Sequence, residues 1–148
     1  MIDVACVEVV RVSEIKVDEK GKSATILNPE REPHNKVKVD GCVITDGPRA
    51  DWVIEREDAA VIVELKGRNV EHGADQVFGT ATQWKEVERR CQRIAGLIVG
   101  RQTPGASTAM QVKKKRFAAR FKGPLHVVSA NSAYKLESIL SFKGPFRE

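Results

Sequence analysis

The chain has 148 residues, 41% hydrophobic and 30% charged, and 25 Lys and Arg against 20 Asp and Glu give a net charge of +5. That composition fits one globular domain over residues 1–148, and the basic balance favours acidic partners. It holds no apolar run that would span a membrane, and Met1-Ile-Asp-Val-Ala-Cys6 lacks the basic start and small-residue cleavage site of a secretory signal, so a cytoplasmic protein without membrane contact is expected.

Residues 4 to 12 are rich in Val with interspersed charges and predict a strand. Val9 to Val17, the polar Asp18 to Lys22, and Ser23 to Leu27 resemble a hairpin. Asn28 to Asn35 carries Pro29 and Pro33 and is expected as loop. Val37 to Thr45 predicts another strand, and Asp46-Gly-Pro48 a turn. Trp52 to Glu55 and Ala60 to Lys66 form the clearest pair, turning at Arg56 to Ala59. Asn69 is placed to cap a helix over Val70 to Arg93. Its apolar stripe is Ala74, Val77, Ala81, Trp84, Val87, Cys91 and Ile94, with Gly73 and Gly79 weakening it. Ile94 to Gly100 predicts a buried strand and Thr103 to Ser107 a loop. Thr108 to Phe121 predicts a helix, and Leu125 to Val128 a short strand. Tyr134 to Phe142 fits a strand or a short helix. The order predicts an α/β domain: a central mixed β-sheet whose antiparallel hairpin is flanked by helices.

Cys6, Cys42 and Cys91 are an odd number without CxxC spacing. They predict reduced thiols in a cytosolic protein rather than a structural zinc site. His34, His72 and His126 form no zinc pattern either.

The hairpin carries the chemistry. A symmetric register around Glu57 and Asp58 sets Ile54 opposite Val61, Val53 opposite Ile62, and Asp51 opposite Glu64. Opposite residues share a sheet face, as do residues two apart, so Asp51, Glu64 and Lys66 converge. Two carboxylates within about 5 Å repel unless a cation sits between them. An oxygen-liking divalent ion, most simply Mg²⁺, suits the place. Val61, Val63 and Leu65 fill one face and Ile62 the other, which marks a central strand. Charges at the end of such a strand are not ordinary surface decoration.

Asp51, twelve further residues, then Glu64-Leu-Lys66 on an apolar strand resembles the PD-(D/E)XK nuclease superfamily, particularly its small single-domain, resolvase- and restriction-endonuclease-like members. The likeness covers about Val37 to Trp84, through Val39-Asp-Gly-Cys, Arg49-Ala-Asp-Trp, Val63-Glu-Leu-Lys-Gly and a following helix with Gln76. It implies a restriction-endonuclease-like fold and metal-dependent hydrolysis of phosphodiesters. Asp51, Glu64 and the Leu65 carbonyl are then the ligands of Mg²⁺, with Mn²⁺ as a substitute. Lys66 positions or deprotonates the attacking water, or stabilises charge on the phosphate. Gln76 belongs to a polar stripe with His72, Thr80 and Gln83, and in relatives a Gln there hydrogen-bonds the water or the Lys. Two departures stand out: Pro48 lies three residues before Asp51 rather than next to it, and no N-terminal helix supplies a further acid. Asp40 and Asp46 are the nearest candidates for that ligand, though Asp40 lies in a Val-Asp-Gly stretch that also suits a simple turn residue.

Lys113, Lys114, Lys115, Arg116, Arg120 and Lys122 crowd one helix without an acid between them, while Phe117 and Phe121 face the core. A nucleic-acid backbone, DNA in the first instance, is the natural counterpart, with Arg49 and Arg68 flanking the hairpin motif. Arg89, Arg90, Arg93, Lys36 and Lys38 are weaker candidates. Trp52 and Trp84 read as core, and nothing reads the bases. The expected function is thus a metal-dependent nuclease in DNA repair, recombination or phage defence. The rival is a catalytically weak nucleic-acid-binding or assembly subunit. The small size leaves room for a homodimer or a partner protein.

Overall fold

In the computed structural model the described residues are 2–66, 69–100, 107–129 and 133–145. Nine strands and three α-helices follow in the order β1 (Val7–Val10), β2 (Glu14–Glu19), β3 (Lys22–Leu27), β4 (His34–Lys38), β5 (Trp52–Arg56), β6 (Ala59–Leu65), α1 (Val70–Val87), β7 (Arg93–Val99), α2 (Thr108–Phe121), β8 (Leu125–Val128), β9 (Ala133–Lys135) and α3 (Leu136–Leu140). Six strands make a mixed sheet in the order β1-β4-β5-β6-β7-β8. The first four are antiparallel neighbours, and β7 and β8 join parallel to β6. The mixed α/β class read from the sequence is therefore what forms.

Strand β6 explains the layering. All seven of its residues are buried. Ala60 and Ile62 pack with Val77, Ala81 and Trp84 of α1 and with Phe117 of α2. Val61, Val63 and Leu65 pack the other way, with Ile15, Ile26 and Ile139. A period of two on a strand without a wet face puts the sheet between two covers. One cover is α1 and α2. The other is α3 with a second sheet, β2-β3-β9, in which β9 runs parallel to β3. Each large apolar side chain so enclosed contributes about 1.5–3 kcal/mol.

Several expectations are revised. The strand read over Val37 to Thr45 stops at Lys38. Beyond it Gly41 takes φ +78°, and Ile44 N–H returns to the Val39 carbonyl, closing a turn. The strand read over residues 4 to 12 keeps only Val7–Val10, after a 3₁₀ turn at Val4–Cys6 whose first N–H groups are capped by Asp3. Helix α1 ends at Val87 rather than Arg93, leaving Val87 exposed while Cys91 and Ile94 remain in the core. Tyr134 to Phe142 resolves into the end of β9 and then α3. The expectation of three reduced cysteines also gives way: Cys6 and Cys42 form a disulfide, and Cys91 alone is a buried thiol. Antiparallel pairing of Val7 with Val37 carries the 3₁₀ turn to the turn after β4, a meeting that spacing in the sequence does not reveal. The cysteine argument for a reducing compartment falls with it. Residues 103–106 of the expected loop lie outside the described residues. Among the described residues no helix is long and apolar enough to cross a membrane.

Candidate active site

The β5–β6 hairpin forms in the register read from the sequence. Val53 faces Ile62 and Ile54 faces Val61. The paired ladder ends at Trp52 and Val63, and just beyond it the Asp51 side chain meets that of Glu64. Asp51 N–H donates to the Val63 carbonyl at 3.2 Å, and Asp51 Oδ2 accepts Leu65 N–H at 2.9 Å. Extended backbone turns a residue's N–H and C=O to one strand edge. The Leu65 carbonyl therefore also points to the Asp51 edge. Lys66 lies just past the strand, its N–H on the Val99 carbonyl of β7.

Helix α1 closes the site from above. Asn69 caps it as expected, accepting His72 N–H at 3.1 Å. The two glycines that weaken its sequence pattern have a structural reason. A Cβ on Gly73 would sit 3.3 Å from Ile98 Cγ2, 3.5 Å from Glu64 Cγ and 3.6 Å from Lys66 Cγ. The missing side chain lets the helix rest on the stems of the two charged residues. One turn on, Gln76 Nε2 donates to the Arg49 carbonyl at 3.1 Å, and Thr80 Oγ1 accepts Ala50 N–H at 2.7 Å. Thr80 passes its own hydrogen to the Gln76 carbonyl. Gly73, Gln76 and Thr80 thus fix α1 against the strand end that bears Asp51.

The electrostatics are unbalanced. Asp51 and Glu64 are buried, at 7% and 3% exposure. Burial and the Asp51 carboxylate push the Glu64 carboxyl from 4.5 up to about 8, with Lys66 opposing. Burial raises Asp51 as well, against the Leu65 hydrogen bond. Glu64 Oε1 and Gln76 Oε1 are buried without a hydrogen-bond partner. Such oxygens are costly, and each in a native fold requires an explanation. A hard divalent cation fits this set: it takes carboxylate and carbonyl oxygens and offsets the repulsion of two close acids.

The remaining expected residues divide. Asp40 stands at the mouth, its Oδ1 2.6 Å from Arg49 Nε, and its charge raises both Asp51 and Glu64. Arg49 also donates to the Gly47 carbonyl, so much of its hydrogen-bonding capacity is engaged locally. His72, Asp75 and Gln76 share with Asp40 and Arg49 a depression of about 500 Å³ that reaches Gln76 but is not lined by Asp51, Glu64 or Lys66. Gln83 lies away from it, beside Cys42 and Ile44. Arg68 lies outside the described residues. On α2, Met110, Phe117 and Phe121 are buried, so the basic residues line the outer side. Lys113 is 2.6 Å from Asp75, Arg116 stacks over the Phe78 ring, and Arg120 and Lys122 border a separate depression with Lys85 and Arg89. Arg90 and Arg93 are committed to Glu55 and Glu137. Trp84 is core, whereas Trp52 is half-buried between Lys36 and Lys38.

A second group of metal-ligand type escaped the sequence reading. Ligand atoms of Glu55, Glu88 and Cys91 lie within 4.8 Å of one another. Its only sequence signal was Glu55 on an apolar strand, two places from Val53. Glu55 is already satisfied, by Trp84 Nε1 at 2.8 Å, Arg90 at 3.0 Å, Asn35 at 3.2 Å and the Cys91 thiol at 3.5 Å. Burial, then Glu55, pushes that thiol up to about 12, so it offers no thiolate near neutral pH. Comparison of the chain with protein-family models, curated proteins and solved structures finds no match.

Proposed function

We propose that this protein is a divalent-metal-dependent nuclease of the PD-(D/E)XK type, with a restriction-endonuclease-like arrangement of its sheet and helices. The observation that carries the reading is the pair of unpartnered buried oxygens, Glu64 Oε1 and Gln76 Oε1, beside the opposed Asp51 and Glu64. A scaffold built for stability alone would fill those positions with donors. Asp51, Glu64 and the Leu65 carbonyl would hold Mg²⁺ or Mn²⁺, which supplies Lewis acidity toward a phosphate oxygen and an acidified water. Glu64 must release its proton for this, and the neighbouring Lys66 cation favours that release. Water would attack phosphorus as the bond to the leaving oxygen breaks; the water's proton would pass to solvent, and the leaving oxygen would take one from the Lys66 ammonium or from solvent. Lys66 also balances the charge that builds on the phosphate. Gln76 is anchored through its amide nitrogen, so its carbonyl oxygen is held still to orient the water. Nucleic acid is the substrate class, and the outer face of α2 would meet its backbone.

One observation favours the rival reading of a nucleic-acid-binding subunit with weak catalysis. Arg49 and Lys113, both near the mouth, are neutralised by Asp40 and Asp75. The deciding experiment is cleavage of single-stranded, duplex and branched DNA, and of RNA, with Mg²⁺ or Mn²⁺. Wild type should cut. Asp51→Ala and Lys66→Ala should each lose about 10³-fold or more, the scale of one removed electrostatic stabiliser. Cutting that survives both substitutions overturns the site, and salt-sensitive binding without cutting supports the rival.

A further inference from the structure

Next to the depression that reaches Gln76 lies a second, smaller one. Pro48 and Asp75 line both. The second has a volume of about 250 Å³, with Ala74, Phe78 and Gly79 on its α1 side and Lys113 and Arg116 on its α2 side. It is smaller than the ~300–1,000 Å³ of ordinary drug-sized ligand sites, and its scale suits one planar ring system. Its wall is unusual in make-up. The Arg116 guanidinium lies 5.3 Å from the centroid of the Phe78 ring, giving a flat cation–aromatic surface. Phe78 is held edge-on by Phe117 and Phe121, with centroids at 6.4 and 5.2 Å. Pro48 is pressed so closely on α1 that a Cβ at Gly79 would stand 3.0 Å from the proline ring. Phe78 and Pro48 therefore form a fixed part of the wall, and the exposed Arg116 lies over it.

At its rim Asp75 and Lys113 hold each other at 2.6 Å, and the Asp75 side chain is half exposed. The pair offers an acceptor and a donor side by side. A carboxylate accepts well from an exocyclic base amine, and an ammonium donates to a ring nitrogen, a base carbonyl or a phosphate.

We infer that this pocket receives one nucleobase of the substrate strand, next to the phosphate held at Asp51, Glu64 and Lys66. The inference rests on the nuclease reading and deepens it by naming a base-contacting subsite. Three observations select that occupant: a position adjoining the depression at Gln76 across Pro48 and Asp75, a volume suited to a single ring system, and a wall that stacks planar rings while its cations attract the adjoining phosphates. Base–aromatic stacking tolerates every base. Asp75 adds a preference for bases bearing an exocyclic amine, cytosine above thymine.

The test uses the full chain without metal, so that binding is read apart from cutting. The probes are the four deoxynucleoside 5′-monophosphates and abasic deoxyribose 5-phosphate, followed by NMR shifts of the Ala74 methyl and the Phe78 ring. Saturable shifts are expected with the nucleotides and not with the sugar phosphate. Arg116→Ala should weaken binding about five- to tenfold, on the scale of a lost stacking contact. Asp75→Asn should narrow the gap between dCMP and dTMP without unfolding the chain. Equal shifts with the sugar phosphate, or affinities unchanged by both substitutions, overturn the subsite. The two readings fail separately. Base-dependent shifts in a protein that never cuts retain the pocket and sink the nuclease. Cutting that is indifferent to an abasic residue beside the scissile bond sinks the pocket alone.

Discussion

Glu55 and Glu64 sit on the two strands of one hairpin, face the same helices, and are almost equally buried, at 2% and 3% exposure. Their surroundings are opposite. Four side-chain donors converge on Glu55, at the turn end. Glu64, at the open end, has one oxygen without any partner and an acid across from it. A buried charge that is fully paired belongs to the scaffold, and removing one partner strands the others. A buried carboxyl left short, and holding its proton, stores an unfavourable energy that a ligand can relieve, which is how functional sites trade stability for activity. The Glu55 group has ligand-type atoms close together, yet proximity without unmet need does not make it a metal site.

The largest effect separates the two glutamates by activity. Glu64→Gln should lower metal-dependent cleavage by about 10³-fold or more, while Glu55→Gln leaves cleavage by the folded fraction within a fewfold. In stability the order reverses. Glu55→Ala strands Arg90 and the Trp84 N–H, and should cost about 3–5 kcal/mol. Thermal or urea unfolding beside a cleavage assay checks both; similar stability losses in Glu55→Ala and Glu64→Gln would erase the contrast.

Metal should act on one site alone. At a concentration one hundred times its dissociation constant, Mg²⁺ should stabilise wild type by about 2.7 kcal/mol. Asp51→Asn and Glu64→Gln should lose this gain, and Glu55→Gln should keep it. Affinity should improve as pH rises toward 8, because binding requires the Glu64 carboxylate. A metal response that persists in Glu64→Gln places the ion elsewhere.

A smaller effect appears without metal. Between the ordinary 4.5 and about 8, folded Glu64 keeps a proton that the unfolded chain has lost. Stability is then highest at the acid end of this window and falls as pH rises through it, levelling above 8. A fall on the order of 2 kcal/mol is expected, since each pKa unit is worth about 1.4 kcal/mol and solvent relieves part of it. Glu64→Gln should flatten the slope and raise stability at pH 8. A metal-free wild type whose melting temperature rises from pH 5 to pH 8 would contradict the strained carboxyl.

What the sequence disclosed follows from the range of the forces involved. The hairpin register was legible from Trp52 to Val63 because its turn is short and its alternation strict, and local geometry sufficed to bring the Asp51 side chain near Glu64. The extent of α2 was legible from one amphipathic stretch between Thr108 and Phe121. The second sheet was hidden because β9 joins β3 from more than a hundred residues away. The Cys6–Cys42 bond was hidden for the same reason. Gly73 and Gly79 read as weak points in a helix, since a close approach to Glu64, Lys66 or Pro48 leaves no other mark in the chain. The Glu55 group was missed because its donors come from β4, α1 and the turn after it, so that no spacing unites them.

The contrast between spent and unspent charge extends to the cations of α2 and gives the smallest effect. Lys113 already faces Asp75, whereas Lys114 and Lys115 make no ion pair among the described residues. A phosphate drawn to Lys113 must compete with a carboxylate 2.6 Å away; one drawn to Lys115 displaces only water and counterions. Each cation that neutralises a duplex phosphate adds about 0.9 to the slope of log affinity against log salt. Replacing Lys114 and Lys115 together by Ala should therefore reduce that slope by up to about 1.8, and Lys113→Ala should change it by clearly less than half as much. Anisotropy of a labelled duplex between about 50 and 200 mM salt, with metal chelated, spans the range where such slopes are read. A Lys113 effect equal to that of Lys114 or Lys115 would mean that Asp75 releases its partner on binding, so that the cation counted here as spent belongs to the nucleic-acid surface.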